Sequence, residues 1–156
     1  MRFVLLGSAA LAGCLLATLA PEMSGTAWSG PAAPADDVKP VEDSMHEFME
    51  YVFQPTYLRL KAIMVAAPAD NKGWKAIKAD SLVLAESCNL LFSRAPDGSA
   101  ADWIAHAKAS REKGGALYAA GKAKDFAAAT TAWKAMLESC NACHKQFEDG
   151  KHILQP

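Results

Sequence analysis

Charge of one sign is what this chain has least of. Its 16 Lys and Arg nearly cancel its 17 Asp and Glu, for a formal net charge of −1. Nucleic-acid-binding domains usually carry a basic footprint, so this balance gives that function no support. It leaves room for a local charged patch at a docking surface. The chain also lacks sustained period-two alternation, and no Asn-Gly or Asp-Gly turn joins two β-rich runs. Hairpin-built sheets are therefore not expected. Cysteine is scarce, with four in the sequence. Cys14 lies in an apolar leader, which leaves Cys88, Cys140 and Cys143. A disulfide framework in an exported small protein needs an even set, and these three do not make one.

What is present fits one globular domain behind an export segment. The chain has 156 residues, 51% of them apolar and 21% charged. Residues 1–35 read as the export segment: Arg2 gives a positive start, Phe3 to Ala20 is an Ala/Leu-rich core, and small residues follow. Ala33-Pro34-Ala35 and Gly25-Thr26-Ala27 are two candidate cleavage sites. Leu11-Ala12-Gly13-Cys14 is a competing signal, since it resembles the lipobox of bacterial lipoproteins and would tether the protein by a lipid on Cys14. Leu15, Leu16 and Ala17 stay apolar where a lipoprotein usually turns polar. Either route, cleaved signal or N-terminal membrane anchor, puts the domain at 36–156 outside the cytoplasm, in a periplasm.

That domain falls into four long segments with three short breaks. The breaks are Ala67-Pro68-Ala69-Asp70, Arg94-Ala95-Pro96-Asp97-Gly98-Ser99, and Ala120-Gly121-Lys122 through Asp125. Each holds a Gly or Pro stop and an Asp, Asn or Ser able to cap the next helix. In the second segment Trp74, Ser81 and Cys88 are seven apart, as are Ile77, Leu84 and Leu91. In the fourth, Phe126, Trp133, Cys140 and Phe147 are seven apart, with Met136 and Cys143 between them. Such seams belong to helices packed along a bundle axis. The third segment has a stripe of Trp103, Ala107, Gly114 and Leu117. Gly114-Gly115 costs it roughly 1 kcal/mol per glycine, either to admit a neighbour or as a plain weak spot. The first, Ser44 to Ala66, is apolar on more than one side, and Pro55 should kink it or start a new helix. The expected fold is all-α, an antiparallel four-helix bundle.

Cys140-Asn141-Ala142-Cys143-His144 carries the chemistry. C-x-x-C-H is the attachment pattern of a c-type haem: two thiols add to the vinyl groups and the histidine binds iron. One helical turn brings these three side chains together. The second ring nitrogen of His144 should then donate to a carbonyl or water. A thioredoxin-like dithiol would need a βαβ context that is lacking here. A Cys₃His zinc site from Cys88, Cys140, Cys143 and His144, in an exported helical binding module, is the alternative. Cys88 by itself reads as a small apolar seam residue.

A C-x-x-C-H-x-x-F run, Cys140 to Phe147, on the last of four helices resembles the cytochrome c′ family. The resemblance spans about Ser44 to Gly150 in architecture and is specific around the haem motif. It implies one covalent haem c, His144 as proximal iron ligand, and a distal pocket lined by the first helix. It also implies a non-enzymatic role: electron transfer with redox partner proteins, or binding of NO or CO at the iron. Homodimers through the first two helices are common in that family. Glu148 departs from the basic residue often found after the aromatic, and makes the proximal side more acidic. The other main class of cytochromes c takes a methionine ligand far downstream, and no methionine follows His144.

The sixth iron position therefore points to the first segment. Met49 is the expected distal residue, as thioether ligand or apolar lid, with Met45 one turn before it and Phe53 one turn after. A thioether opposite histidine raises the haem potential; methionine is also a common flexible core filler. Trp133 and Phe147 flank the motif and are expected at the haem edge or in the bundle core. His46 reads as a solvated helix-start residue that could reach a propionate. His106 reads as exposed, and His152 as lying past the helix end, away from the distal face. Met136 stays on the proximal side.

Overall fold

Local sequence signals set where the helices start. The computed structural model describes residues 39–156, so the expected export segment 1–35 lies outside the described residues. Ser44, Asp70 and Asp125 each precede a helix. Their side chains accept hydrogen bonds from the amides of Glu47, Gly73 and Ala128 at 3.3, 2.8 and 2.9 Å. Each such cap is worth about 1 kcal/mol. Every regular element among the described residues is helical.

The first rod is α1 (Met45–Phe48), a π-helical turn (Met49–Phe53) and α2 (Gln54–Ile63). Phe48, Met49, Phe53 and Gln54 all keep right-handed helical backbone, so the rod runs through rather than breaking at Pro55. Proline lacks an amide hydrogen and crowds the carbonyl one turn back. The wider π turn takes up that mismatch just before it. The Thr56 hydroxyl donates to the Val52 carbonyl at 3.0 Å and gives it a partner beside the proline.

The second rod is α3 (Asn71–Ser87), which tightens into a 3₁₀ segment (Cys88–Arg94). The third is α4 (Ala100–Ala123) and the fourth α5 (Phe126–Phe147). The last break is shorter than the sequence predicts. Gly121 does not stop α4; the chain turns only at Lys124, whose φ of 55° is left-handed. Gly121 is buried, and a Cβ there would sit 3.2 Å from both Ile77 Cγ2 and Lys78 Cγ. Its small size serves packing rather than termination.

Together the rods pack as a helical bundle, with α4 against both α3 and α5, and α2 against α3. The predicted seams face inward: Trp74, Ser81, Cys88, Ile77, Leu84 and Leu91 are all buried, as are Trp103, Ala107, Gly114 and Leu117. A larger apolar cluster includes Leu60, Ile77, Leu117 and Trp133. A smaller one gathers Phe48, Cys88, Leu91, Trp103 and Ala107. Of the paired glycines, Gly114 is the one that admits a neighbouring helix: a Cβ on it would meet Ala85 Cβ at 3.1 Å, whereas Gly115 has nothing within 4 Å. No helix among the described residues is long and apolar enough to cross a membrane.

Candidate functional site

The seam of α5 buries Trp133 and Met136 and then opens where the motif begins. Cys140, Cys143, His144 and Phe147 are all half-buried. Cys143, His144 and Phe147 stand at the edge of a cavity of about 420 Å³ formed by the first rod, the start of α4, the end of α5 and the residues after it. That volume is in the range of small-molecule and cofactor sites. Met45, Met49 and Tyr57 line it from the first rod, Trp103 from α4, and Cys143, His144 and Phe147 from α5. A smaller cavity of about 40 Å³ adds Cys140, Cys88 and Phe53, and shares Met49, Trp103 and Cys143 with the larger one. Cys143 and Met49 line both cavities, and Cys140 lines the smaller one.

His144 is oriented by the backbone. Its Nδ1 lies 2.9 Å from the His152 carbonyl oxygen. A carbonyl only accepts, so Nδ1 carries a proton, which in the neutral ring leaves the lone pair on Nε2. The sequence expectation that a carbonyl or water holds the second ring nitrogen is answered by a specific atom.

The three cysteines among the described residues, Cys88, Cys140 and Cys143, are free thiols. Burial pushes the Cys140 thiol up to about 11, against a smaller opposing effect of its hydrogen bond with Ser110. Burial first, then the nearby Glu148 carboxylate, pushes Cys143 up to about 11. Burial pushes Cys88 up to about 12. Thiols of this kind stay protonated at neutral pH and make poor nucleophiles, so the setting is not that of a redox dithiol. Among the described residues no group of three or more His, Cys, Asp or Glu side chains is placed to hold a metal ion.

The remaining predicted residues divide. Phe147 lines the cavity and packs edge-on to Trp103, with ring centroids 5.0 Å apart. Trp133 lines neither cavity. It is buried in the larger cluster and stacks on Tyr57 at 5.9 Å, so it acts on the site through that ring. Met136 is buried in the same cluster. His46 is at the cavity mouth, 76% exposed and 3.5 Å from Glu50. His106 is half-buried rather than exposed, with Nε2 2.8 Å from Gln146 Oε1.

Sequence reasoning missed the segment after α5. His152, Ile153 and Leu154 line the cavity. The Tyr57 hydroxyl donates to the Gln155 carbonyl at 2.7 Å and accepts from the Gln155 amide at 3.2 Å. Asn141, inside the motif, donates from Nδ2 to the Leu154 carbonyl at 2.9 Å and accepts from its amide at 2.8 Å. These partners are backbone atoms, which any residue supplies, so residue identity gave little signal beyond a carboxamide at Asn141.

Comparison with known proteins adds no assignment: no family model, curated protein or solved structure matches this chain.

Proposed function

We propose that this protein is an exported haem protein of the cytochrome c′ type, an antiparallel four-helix bundle holding one covalent haem c. It carries electrons to and from redox partner proteins or binds a diatomic gas such as NO or CO. The observation that carries this reading is that Cys143 and His144 of the C-x-x-C-H motif line the larger cavity, Cys140 lines the smaller one that shares residues with it, and His144 Nδ1 is already bonded to a carbonyl. The donor set fits the group: two thiols for the vinyl groups, one imidazole nitrogen for iron, and an apolar wall for a flat ring.

Bound haem c supplies a one-electron couple and an iron position open to a sixth ligand. Cys140 and Cys143 are the attachment residues. His144 would offer Nε2 to the iron, and its Nδ1–H bond to the His152 carbonyl would raise the basicity of that nitrogen. Met45, Trp103 and Phe147 give the cavity apolar walls. Met49 faces the same space from the first rod, as thioether donor or as lid. Glu148 gives the proximal side an acidic edge.

A pyridine haemochrome spectrum of the purified protein, made in a host that attaches haem c, tests the reading. The expected result is a covalent haem band, and its absence overturns the proposal. His144→Ala should abolish the native Soret band while leaving the thioether links; an unaltered band overturns the axial assignment. The reduced spectrum under carbon monoxide then separates the two roles. A shift marks gas binding, and indifference marks electron transfer with a sixth ligand in place.

A further inference from the structure

The residues after α5 form a strap tied down at both ends. Asp149 and His152 hold φ of 51° and 56°, left-handed values that non-glycine residues rarely adopt. Such conformations persist where surrounding contacts fix them. Three contacts hold the strap: His152 carbonyl to His144 Nδ1, Leu154 bracketed by Asn141, and Gln155 bracketed by the Tyr57 hydroxyl. Lys61 Nζ adds a bond to the Gln155 carbonyl at 3.1 Å.

We propose that Asn141 is a positioning residue for His144, acting through this strap. Its amide fixes Leu154, two residues beyond the carbonyl that accepts from His144 Nδ1. A carboxamide is suited to this because it offers a donor and an acceptor side by side, for one residue's carbonyl and amide together. A carboxylate would set an acceptor against the Leu154 carbonyl. The proposal rests on the haem reading above and extends it: the second residue of the C-x-x-C-H run controls how strongly the axial imidazole donates.

The physical consequence has a sign. A firm Nδ1–H bond makes the imidazole a stronger donor and favours the more charged ferric iron. Releasing the strap weakens that bond and raises the midpoint potential. Wetting of a loosened cavity acts the other way, because water also favours the charged state. The direction of the shift therefore distinguishes positioning from general loosening.

The test is spectroelectrochemistry of the full haem-loaded chain and of two variants. Asn141→Ala removes the bracket from the α5 side. Leu154→Pro removes the amide donor from the strap side and leaves the helix untouched. Outer-shell partners of a ligating histidine typically matter by roughly tenfold or more. The expected shift is thus about tenfold in the ferric-to-ferrous ratio, about 59 mV upward for one electron. Faster amide exchange at Ile153 to Gln155 should accompany it in both. A potential that stays put or falls, in variants that still carry haem, overturns the strap proposal alone. An unaltered chain without covalent haem overturns the haem reading and this one with it.

Discussion

Gly114 and Gly115 are neighbours in α4 with opposite surroundings. A methyl group on Gly114 would stand 3.1 to 3.3 Å from Ala85 Cβ, Cα and N, and a helix backbone does not yield as a flexible side chain does. Gly114→Ala should therefore lose about 1–3 kcal/mol to overpacking, against a helix-propensity gain of about 1. Gly115→Ala meets nothing within 4 Å and should gain roughly 0.5–1 kcal/mol. Chemical denaturation of the two variants checks the opposite signs. Cys88 gives a second residue-scale expectation. Its thiol rises from an ordinary 9.0 to about 12 on folding. A group with a raised folded pKa contributes stability below its unfolded value and loses it as pH climbs toward the folded one. The fold should thus weaken above about pH 9, by up to about 1.4 kcal/mol per pH unit from this one thiol. Cys88→Ala should flatten that slope when denaturation midpoints are compared between about pH 8 and about pH 11.

Elements are joined by a charged lock between α2 and α3. Arg59 donates from Nε and Nη2 to the Asp80 carboxylate at 2.7 to 3.2 Å, and Nη2 also reaches the Thr56 hydroxyl at 3.2 Å. The two ends are not equivalent. The Asp80 side chain is 12% exposed and that of Arg59 is 56% exposed. Removing Arg59 strands a buried carboxylate, whereas removing Asp80 lets the guanidinium turn to water. Arg59→Ala should therefore cost more than Asp80→Ala, about 3 kcal/mol against about 1. Equal losses would show the pair to act as an ordinary surface bridge.

This lock was not legible in the sequence, while the seams of α3 and α5 were. Seven-residue spacing repeats one chemical choice, apolar or not, many times over. Arg59 and Asp80 meet once, across a loop, and leave no repeat. The π turn ahead of Pro55 has the same standing, since proline announces a disturbance and not its form. The motif on α5 was legible because its three reactive groups lie within one turn. The strap that orients His144 was not, because its partners are backbone carbonyls and amides.

The whole molecule balances one filled core against one cavity. The larger cluster around Leu60, Ile77, Leu117 and Trp133 is packed, with Tyr57, Cys140 and Leu154 against it at the edge of the site. The cavity beside the smaller cluster is about 420 Å³. At about 24 cal/mol per Å³, an empty space of that size would cost about 10 kcal/mol. Its open mouth, with His46 and Glu50, admits water and makes that an upper bound. If the cavity holds haem as proposed, the haem-free chain should not hold the cavity wall as firmly as the haem-loaded one. The loss should be regional. Amide protection should fall in Met45–Phe53 and in the residues after α5, which line the cavity, and should persist in α3 and α4, which share the packed core. Near-ultraviolet dichroism should lose the contribution of Trp103 at the cavity wall, a loss that Trp103→Phe would pre-empt, while far-ultraviolet helicity stays close to that of the loaded protein. Hydrogen exchange on both forms checks this map. Uniform protection in the haem-free chain would mean that the first rod closes onto α5 by itself, and that the cavity is not what the fold reserves for a cofactor.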